Sequence, residues 1–260
     1  MTNKTSDNPI FIVGMPRSGT TLMRSMLSVH PNLAVSRETH FFPKWWERYQ
    51  KTDLNNLDNF EAFWQEFSDH KRFPKIVIDP TLIKAKILAA DEINLKTIFN
   101  TMMEVLAATM NKPRWVEKTP DHYKYLDQIL DWYPQAQIIW MLRDPRAVIA
   151  STLQRWPKTP VDVRAREWSD SIVIFQDKWS EDPRVKLIKY EDLVADAESQ
   201  TIELCDFLGE EFYPAMIQER TQNVQQVFLA DEEPTNGPNR LANRAICAVG
   251  IDKWRWTLSP

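Results

Sequence analysis

The sequence predicts an α/β fold, a single domain with a central parallel β-sheet flanked by helices and extended by helical insertions. Three observations carry that expectation. Residues 10–13 (Ile-Phe-Ile-Val) form a short apolar run that ends at Gly14 and passes into a stretch with helical spacing. Residues 137–142 (Gln-Ile-Ile-Trp-Met-Leu) are almost continuously apolar, the pattern of a strand buried on both faces rather than one with a wet side. Strand-like and helix-like segments alternate along the chain, which is the order that crossover connections between parallel strands require.

Each element follows from local residue choice. The run at 10–13 reads as a buried strand and 19–29 as the helix after it, with Leu22, Met23, Met26 and Leu27 at helical spacing. Residues 41–73 carry aromatics at the same spacing (Trp45, Trp46, Tyr49, then Phe60, Phe63, Trp64, Phe67) and predict helices inserted beside the core. A second helical stretch covers about 82–110, followed by a short strand at 114–117 and a helix at 123–132. Pro145 suits the first position of a helix running to about Trp156, where its missing N–H costs nothing. Residues 163–179 are helical by spacing, 185–189 strand-like, and 191–208 a helix closed by Gly209. Polar, turn-rich residues 222–243 read as a long loop, either a lid or a plain surface loop, and residues 1–9 as a disordered tail.

At 260 residues the chain is long enough for one substantial domain with its own core. Its 11 Trp and 17 Pro against 5 Gly are unusual, and so many flat side chains need large apolar surfaces to pack on. A net charge of −4 argues against a dedicated nucleic-acid binder, so any anionic ligand must be met by a concentrated basic site. Cys205 and Cys247 are the only cysteines, too few for a disulfide framework and outside any metal-ligand spacing. That usage fits a reducing cytoplasm and no metal. No stretch has the pattern of a signal peptide or a membrane span.

The chemistry concentrates in two places. Gly14-Met-Pro-Arg-Ser-Gly19-Thr-Thr21 has the spacing of a phosphate-binding P-loop, which makes the expected domain P-loop-type, but Thr20 stands where G-x-x-x-x-G-K-[ST] carries lysine. The backbone cradle survives, while positive charge moves to Arg17 on the arch of the loop. Such a loop suits a phosphate-like group other than the γ-phosphate of ATP. The second place is Arg143-Asp-Pro-Arg146 followed by Ser151, where the apolar strand at 137–142 gives way to a helix. Ligands of parallel α/β sheets gather at carboxyl ends of strands, so Arg143 and Ser151 form a candidate second anion site, unless Arg143 is simply paired with Asp144.

Taken together, these residues resemble the PAPS-dependent sulfotransferases, whose donor is 3′-phosphoadenosine 5′-phosphosulfate, and in motif style the carbohydrate-type and bacterial members. Pro16-Arg17-Ser18-Gly19-Thr20-Thr21 is similar to the family's 5′-phosphosulfate loop, and Arg143 with Ser151 to its 3′-phosphate site. Arg37-Glu38-Thr39-His40-Phe41-Phe42, Glu117-Lys118-Thr119-Pro120 and Lys189-Tyr190-Glu191-Asp192-Leu193 are similar to further family segments. The resemblance implies that Arg17 and Lys118 stabilise charge on the leaving phosphate oxygen. It implies Glu38 as the base that takes the acceptor's proton, with His40 as second choice, and Tyr190 near the adenine. Arg244, Lys253 and Arg255 would meet the 3′-phosphate from the C-terminal region, although Asp252 stands where many relatives have glycine.

The function so implied is sulfuryl transfer from PAPS to a hydroxyl of a carbohydrate, lipid or small molecule, releasing adenosine 3′,5′-bisphosphate without a metal. Phe41, Phe42, Trp45, Trp46 and Tyr49 follow the expected base, and some of them are expected to line the acceptor pocket, the rest to pack a helix on the sheet. Two other readings stay open on the residues alone: a nucleoside or small-molecule kinase with a degenerate loop, and a catalytically silent nucleotide-binding module.

Overall fold

The computed structural model describes residues 8–70, 73, 79–218 and 254–257. Its strands are β1 (Ile10–Gly14), β2 (Leu33–Val35), β3 (Arg114–Lys118), β4 (Gln137–Leu142) and β5 (Val185–Lys189). Helices in the first half are α1 (Thr20–Val29), α2 (Glu47–Tyr49), α3 (Leu57–Asp69), α4 (Pro80–Leu88), α5 (Leu95–Thr109) and α6 (Leu126–Trp132). Those in the second half are α7 (Pro145–Arg155), α8 (Val161–Ile174), α9 (Tyr190–Ala195), α10 (Ala197–Leu208), α11 (Ala215–Gln218) and α12 (Trp254–Thr257).

The strands form one parallel sheet in the order β2-β3-β1-β4-β5, flanked by helices and carrying helical insertions, as the sequence predicts. Leu33 lies opposite Arg114 and Val35 opposite Val116, while Ile138 through Leu142 match Val185 through Lys189. From β1 the chain moves to β2 at one edge, fills in β3, and then places β4 on the other side of β1. Winding therefore reverses at β1, and the loop that leaves such a strand's carboxyl end is where open α/β sheets place ligands. Every residue of β1 is buried, and so is every residue of β3, although β3 reads Arg-Trp-Val-Glu-Lys. Charged side chains in a fully buried strand must be paired, and their pairing marks a site.

Contacts divide the chain into two compact units, residues 1–11 with 31–136 and residues 12–30 with 137–260. In the first, α3 starts at Asn56, whose side chain accepts from Asp58 N and Asn59 N, and presents Phe60, Phe63, Trp64 and Phe67 inward. Trp45 meets Phe67 with ring centres 5.1 Å apart, Phe41 meets Phe99 at 4.8 Å, and Phe11 meets Trp115 edge-on at 5.5 Å. This is where much of the aromatic surplus goes. The helical reading of 41–73 is interrupted at its start: Phe42–Trp46 forms a π-helical turn in which Glu47 N–H reaches Phe42 O. Pro43 sits in the first turn, where a missing N–H costs nothing, so it starts the turn without accounting for its width. The helical stretch expected over 82–110 consists of two helices, because Asn94 caps a fresh start at Thr97 N. Tyr123 belongs to a 3₁₀ turn, Pro120–Tyr125, so the helix expected from 123 begins at Leu126.

In the second unit, Asp144 accepts from Arg146 N at 2.8 Å and Pro145 occupies the first turn, which starts α7 where the sequence places it. The helix expected over 163–179 begins at Val161 and ends in a π-helical turn, Phe175–Trp179. The helix expected over 191–208 splits at Asp196, whose side chain accepts from Ser199 N. Gly209, at φ 68°, closes it in the left-handed conformation that an L side chain resists.

Candidate functional site

The loop after β1 is shaped by close approaches. A Cβ on Gly14 would lie 2.3 Å from the Met141 carbonyl oxygen, so only glycine lets the end of β1 pass β4. A Cβ on Gly19 would lie 2.6 Å from Tyr190 Cδ2, so the loop rests on the Tyr190 ring. Arg17 adopts φ 77°, rare for a side-chain-bearing residue, and lifts its guanidinium out of the turn closed by Ser18 N–H to Met15 O at 3.1 Å. Ser18 is fully buried, and its Oγ has no hydrogen-bond partner among the described residues. Thr20 begins α1, directing that helix's N-terminal dipole at the loop.

Arg143, just past β4, and the Ser151 hydroxyl of α7 converge on this loop. Arg17 Nε donates to Ser151 Oγ at 3.0 Å, and Arg143 Nη1 donates to the Arg17 carbonyl at 3.2 Å. The Arg143 guanidinium lies 4.2 Å from the centre of the Tyr190 ring, and Trp168 Nε1 holds the Arg143 carbonyl at 3.0 Å. Asp144 is taken by Arg146, with Nη2 to Oδ2 at 2.6 Å; that hydrogen bonding, against a smaller opposing effect of burial, lowers its pKa. The pairing of Arg143 with Asp144 left open by the sequence is thus replaced by an Arg146 pair. Arg146 also stacks on Trp254 at 3.9 Å, and Arg255 lies 5.0 Å from the same ring. A loop that gathers two guanidinium groups, a helix N-terminus and an orphaned buried hydroxyl is built for a polyanion.

The other cluster belongs to the first unit. Lys118, at the end of β3, is buried and in direct ion-pair contact with Glu38 Oε1. His40 Nε2 lies 3.1 Å from Glu38 Oε2, and His40 itself takes a left-handed φ of 49°. Burial pushes the Glu38 carboxyl up, but the Lys118 charge and hydrogen bonds from His40 and Lys118 outweigh it, and the net shift is well below the ordinary carboxylate range. Chemically this is a carboxylate held ionised between a cation and an imidazole. Beside it, Glu117 and His122 are wholly buried and joined at 2.8 Å. His122 lies in no motif and Glu117 has no role of its own in the segment that holds it; only burial reveals them.

Of the residues expected at the site, Glu38, His40 and Lys118 come together as one group. Arg17, Ser18, Gly19, Thr20, Thr21, Arg143, Ser151 and Tyr190 lie on or around the loop after β1. Arg255 sits by Trp254, whereas Arg244, Lys253 and the loop 222–243 lie outside the described residues, as do residues 1–7 of the expected tail. Phe41, Phe42 and Trp45 are core rather than pocket, at most 2% exposed, while Trp46 and Tyr49 are half-buried. Among the described residues no three acidic, His or Cys side chains are placed to hold a metal ion, and no helix is long and apolar enough to cross a membrane.

A profile described as the Sulfotransferase family matches residues 9–214. The chain is 28% identical over 239 residues to a putative protein-tyrosine sulfotransferase of Caenorhabditis briggsae, covering 86% of this chain and 73% of that one. It spans 61% and 37% of the length of the protein-tyrosine sulfotransferases it matches in Caenorhabditis elegans and Drosophila melanogaster. Among solved structures it is similar to the sulfotransferase domain of the Synechococcus PCC 7002 olefin synthase, at 26% identity and a TM-score of 0.66 over 98% of this chain and 90% of that one. It is also similar to the sulfotransferase domain from the curacin biosynthetic pathway, at 26% identity and a TM-score of 0.64 over 98% and 93%. The fold so identified is the sulfotransferase fold and not a P-loop fold; the P-loop expectation holds only for glycine spacing, since Thr20 removes the lysine that a γ-phosphate needs.

Proposed function

Because the chain belongs to the sulfotransferase family, we propose that it moves a sulfuryl group from PAPS to a hydroxyl acceptor in one in-line displacement. The acceptor oxygen bonds to sulfur as the bond from sulfur to the 5′-phosphate oxygen breaks, and adenosine 3′,5′-bisphosphate leaves. The observation that carries the reading is the Glu38 carboxylate in contact with both the Lys118 ammonium and the His40 imidazole. Glu38 takes the acceptor's proton, and Lys118 with Arg17 stabilises the charge that develops on the departing phosphate oxygen. Paired with Lys118, Glu38 is ionised but a weak base; once the ammonium engages donor oxygens instead, the carboxylate regains base strength. His40 is the second candidate for the proton, favoured by its 3.1 Å contact with Glu38.

The donor's anionic groups are assigned to the loop and its arginines. Ser18, Gly19, Thr20 and Thr21 cradle the 5′-phosphosulfate with backbone N–H and hydroxyl groups, and Arg143 with Ser151 holds the 3′-phosphate. Tyr190 borders the adenine, and Arg255 with Arg244 and Lys253 completes the 3′-phosphate site. The reaction calls for no metal, so turnover should persist in EDTA. We take the protein as one sulfotransferase-like domain, and place it in the cytoplasm because its described cysteine, Cys205, is a buried free thiol.

Calorimetric titration with adenosine 3′,5′-bisphosphate, against ATP with Mg²⁺, tests the donor. Binding of the bisphosphate alone is expected; tight ATP binding with no heat from the bisphosphate would sink the proposal in favour of a kinase. Radiolabelled PAPS offered with a tyrosine-containing peptide, an oligosaccharide and a long-chain alcohol then identifies the acceptor hydroxyl.

A further inference from the structure

Residues 38–40 and 117–119 contact one another in alternation. Glu38 meets both His40 and Lys118, while Thr39 and Thr119 meet Glu117. Glu117 Oε1 accepts from Thr39 Oγ1 at 2.8 Å, from Thr39 N at 3.3 Å and from Thr119 Oγ1 at 2.6 Å. Its Oε2 lies 2.8 Å from His122 Nδ1. Each threonine hydroxyl also accepts: Thr119 Oγ1 from His40 N at 3.2 Å, and Thr39 Oγ1 from Phe41 N at 3.2 Å. A carboxylate is the one side chain able to take all these donors at once, because it accepts at every lone pair and donates nothing.

The two groups differ in reach. Side chains of Glu38 and His40 are 35% and 21% exposed and that of Lys118, whose ammonium reaches out to Glu38, is 2%, whereas Glu117, His122 and Thr119 are 0% exposed and Thr39 is 5%. Both Glu117 oxygens are engaged by Thr39, Thr119 and His122, so it acts on the segments that carry the other three side chains. Burial raises its pKa, but the His122 charge and hydrogen bonds from His122, Thr119 and Thr39 bring the net shift below the usual range, so it stays an anion.

We infer that Glu117, backed by His122, is a positioning residue: one buried carboxylate fixes the two chain segments from which Glu38, His40 and Lys118 project. Its consequence for turnover rests on the sulfuryl-transfer reading, whereas its geometric claim stands without it. If the Glu117 network sets the Glu38–Lys118 contact, loosening the network lets the ammonium drift and the Glu38 carboxyl return toward its ordinary titration range. A merely fold-stabilising Glu117 predicts no such movement in variants that still fold.

The test is a carboxyl ¹³C NMR titration of the full chain labelled at glutamate, with Glu38→Gln assigning the signal. In Glu117→Gln and Thr119→Val the Glu38 midpoint should rise by about one pH unit or more, the contribution an adjacent cation makes. Thr119→Ser, which keeps the hydroxyl, should restore the wild-type midpoint. With the acceptor found by the PAPS panel, Glu117→Gln and Thr119→Val should lower kcat about ten- to hundredfold, the cost of small misplacement, with bisphosphate Kd little changed. An unmoved Glu38 midpoint in folded Glu117→Gln or Thr119→Val, or a Thr119→Ser as altered as Thr119→Val, overturns the inference. Should Glu117→Gln fail to fold, the threonine pair decides alone. A chain that binds no bisphosphate defeats the sulfuryl-transfer reading, and the Glu38 titration still judges Glu117.

Discussion

At Glu38 burial and charge pull in opposite directions, and charge wins. The same holds for Glu117, whose carboxyl is also lowered. A group with a depressed native pKa lends stability that is fully present above its unfolded value, about 4.3 for glutamate, and is lost as pH falls through the native value. Urea unfolding from pH 7 downward should therefore show the wild type losing its advantage over Glu117→Gln only below about pH 4. Glu117→Ala, which strands buried His122, should cost about 3–5 kcal/mol at neutral pH by the same measurement. Glu38→Gln should lower turnover by about two to four orders of magnitude with bisphosphate affinity unchanged, read by steady-state kinetics and calorimetry. Arg143→Ala should do the reverse, weakening the bisphosphate by about 1.5–3 kcal/mol. Glu38 and Lys118 were legible in the sequence because motif neighbours surround them. Glu117 and His122 were not, because their role comes from complete burial, which a short polar segment does not announce.

The elements were legible where a pattern ran long enough to impose itself. Continuous apolar runs announce β1 and β4, and Pro145 announces α7. β2 is only Leu33–Val35, too short to show a period, and owes its existence to pairing with β3. Helix breaks at Asn94 and Asp196 leave no mark in the apolar spacing, which continues across them, while a capping side chain lets the next helix start at once. Glycines separate backbone freedom from close packing. Gly14→Ala brings a methyl within 2.3 Å of a backbone oxygen at φ 130°, and should destabilise by about 3 kcal/mol or more. Gly209→Ala faces open space at φ 68°, and should cost only the left-handed penalty, about 1 kcal/mol. Thermal unfolding of the two variants side by side measures the difference.

On the scale of the whole molecule, the sheet order places the turn in winding at β1, and the loop that leaves β1 carries the anion-binding geometry. A ligand that binds only the folded chain stabilises it by about 2.7 kcal/mol at a hundredfold excess over Kd. For a protein of this size that corresponds to a rise in melting temperature of roughly 5–10 °C, expected with adenosine 3′,5′-bisphosphate and absent with ATP. The fold class was readable because parallel α/β architecture writes itself into alternating segments; the division of labour within β3 was not, since buried charge contradicts the usual strand pattern. The alternation of contacts at 38–40 and 117–119 has a genetic corollary. Deleting or inserting one residue within either triplet would swap the inward and outward side chains, sending the Glu117 carboxylate toward the open side and the Glu38 carboxylate into the interior. Within these two triplets, therefore, only exchange of a whole triplet preserves the phase.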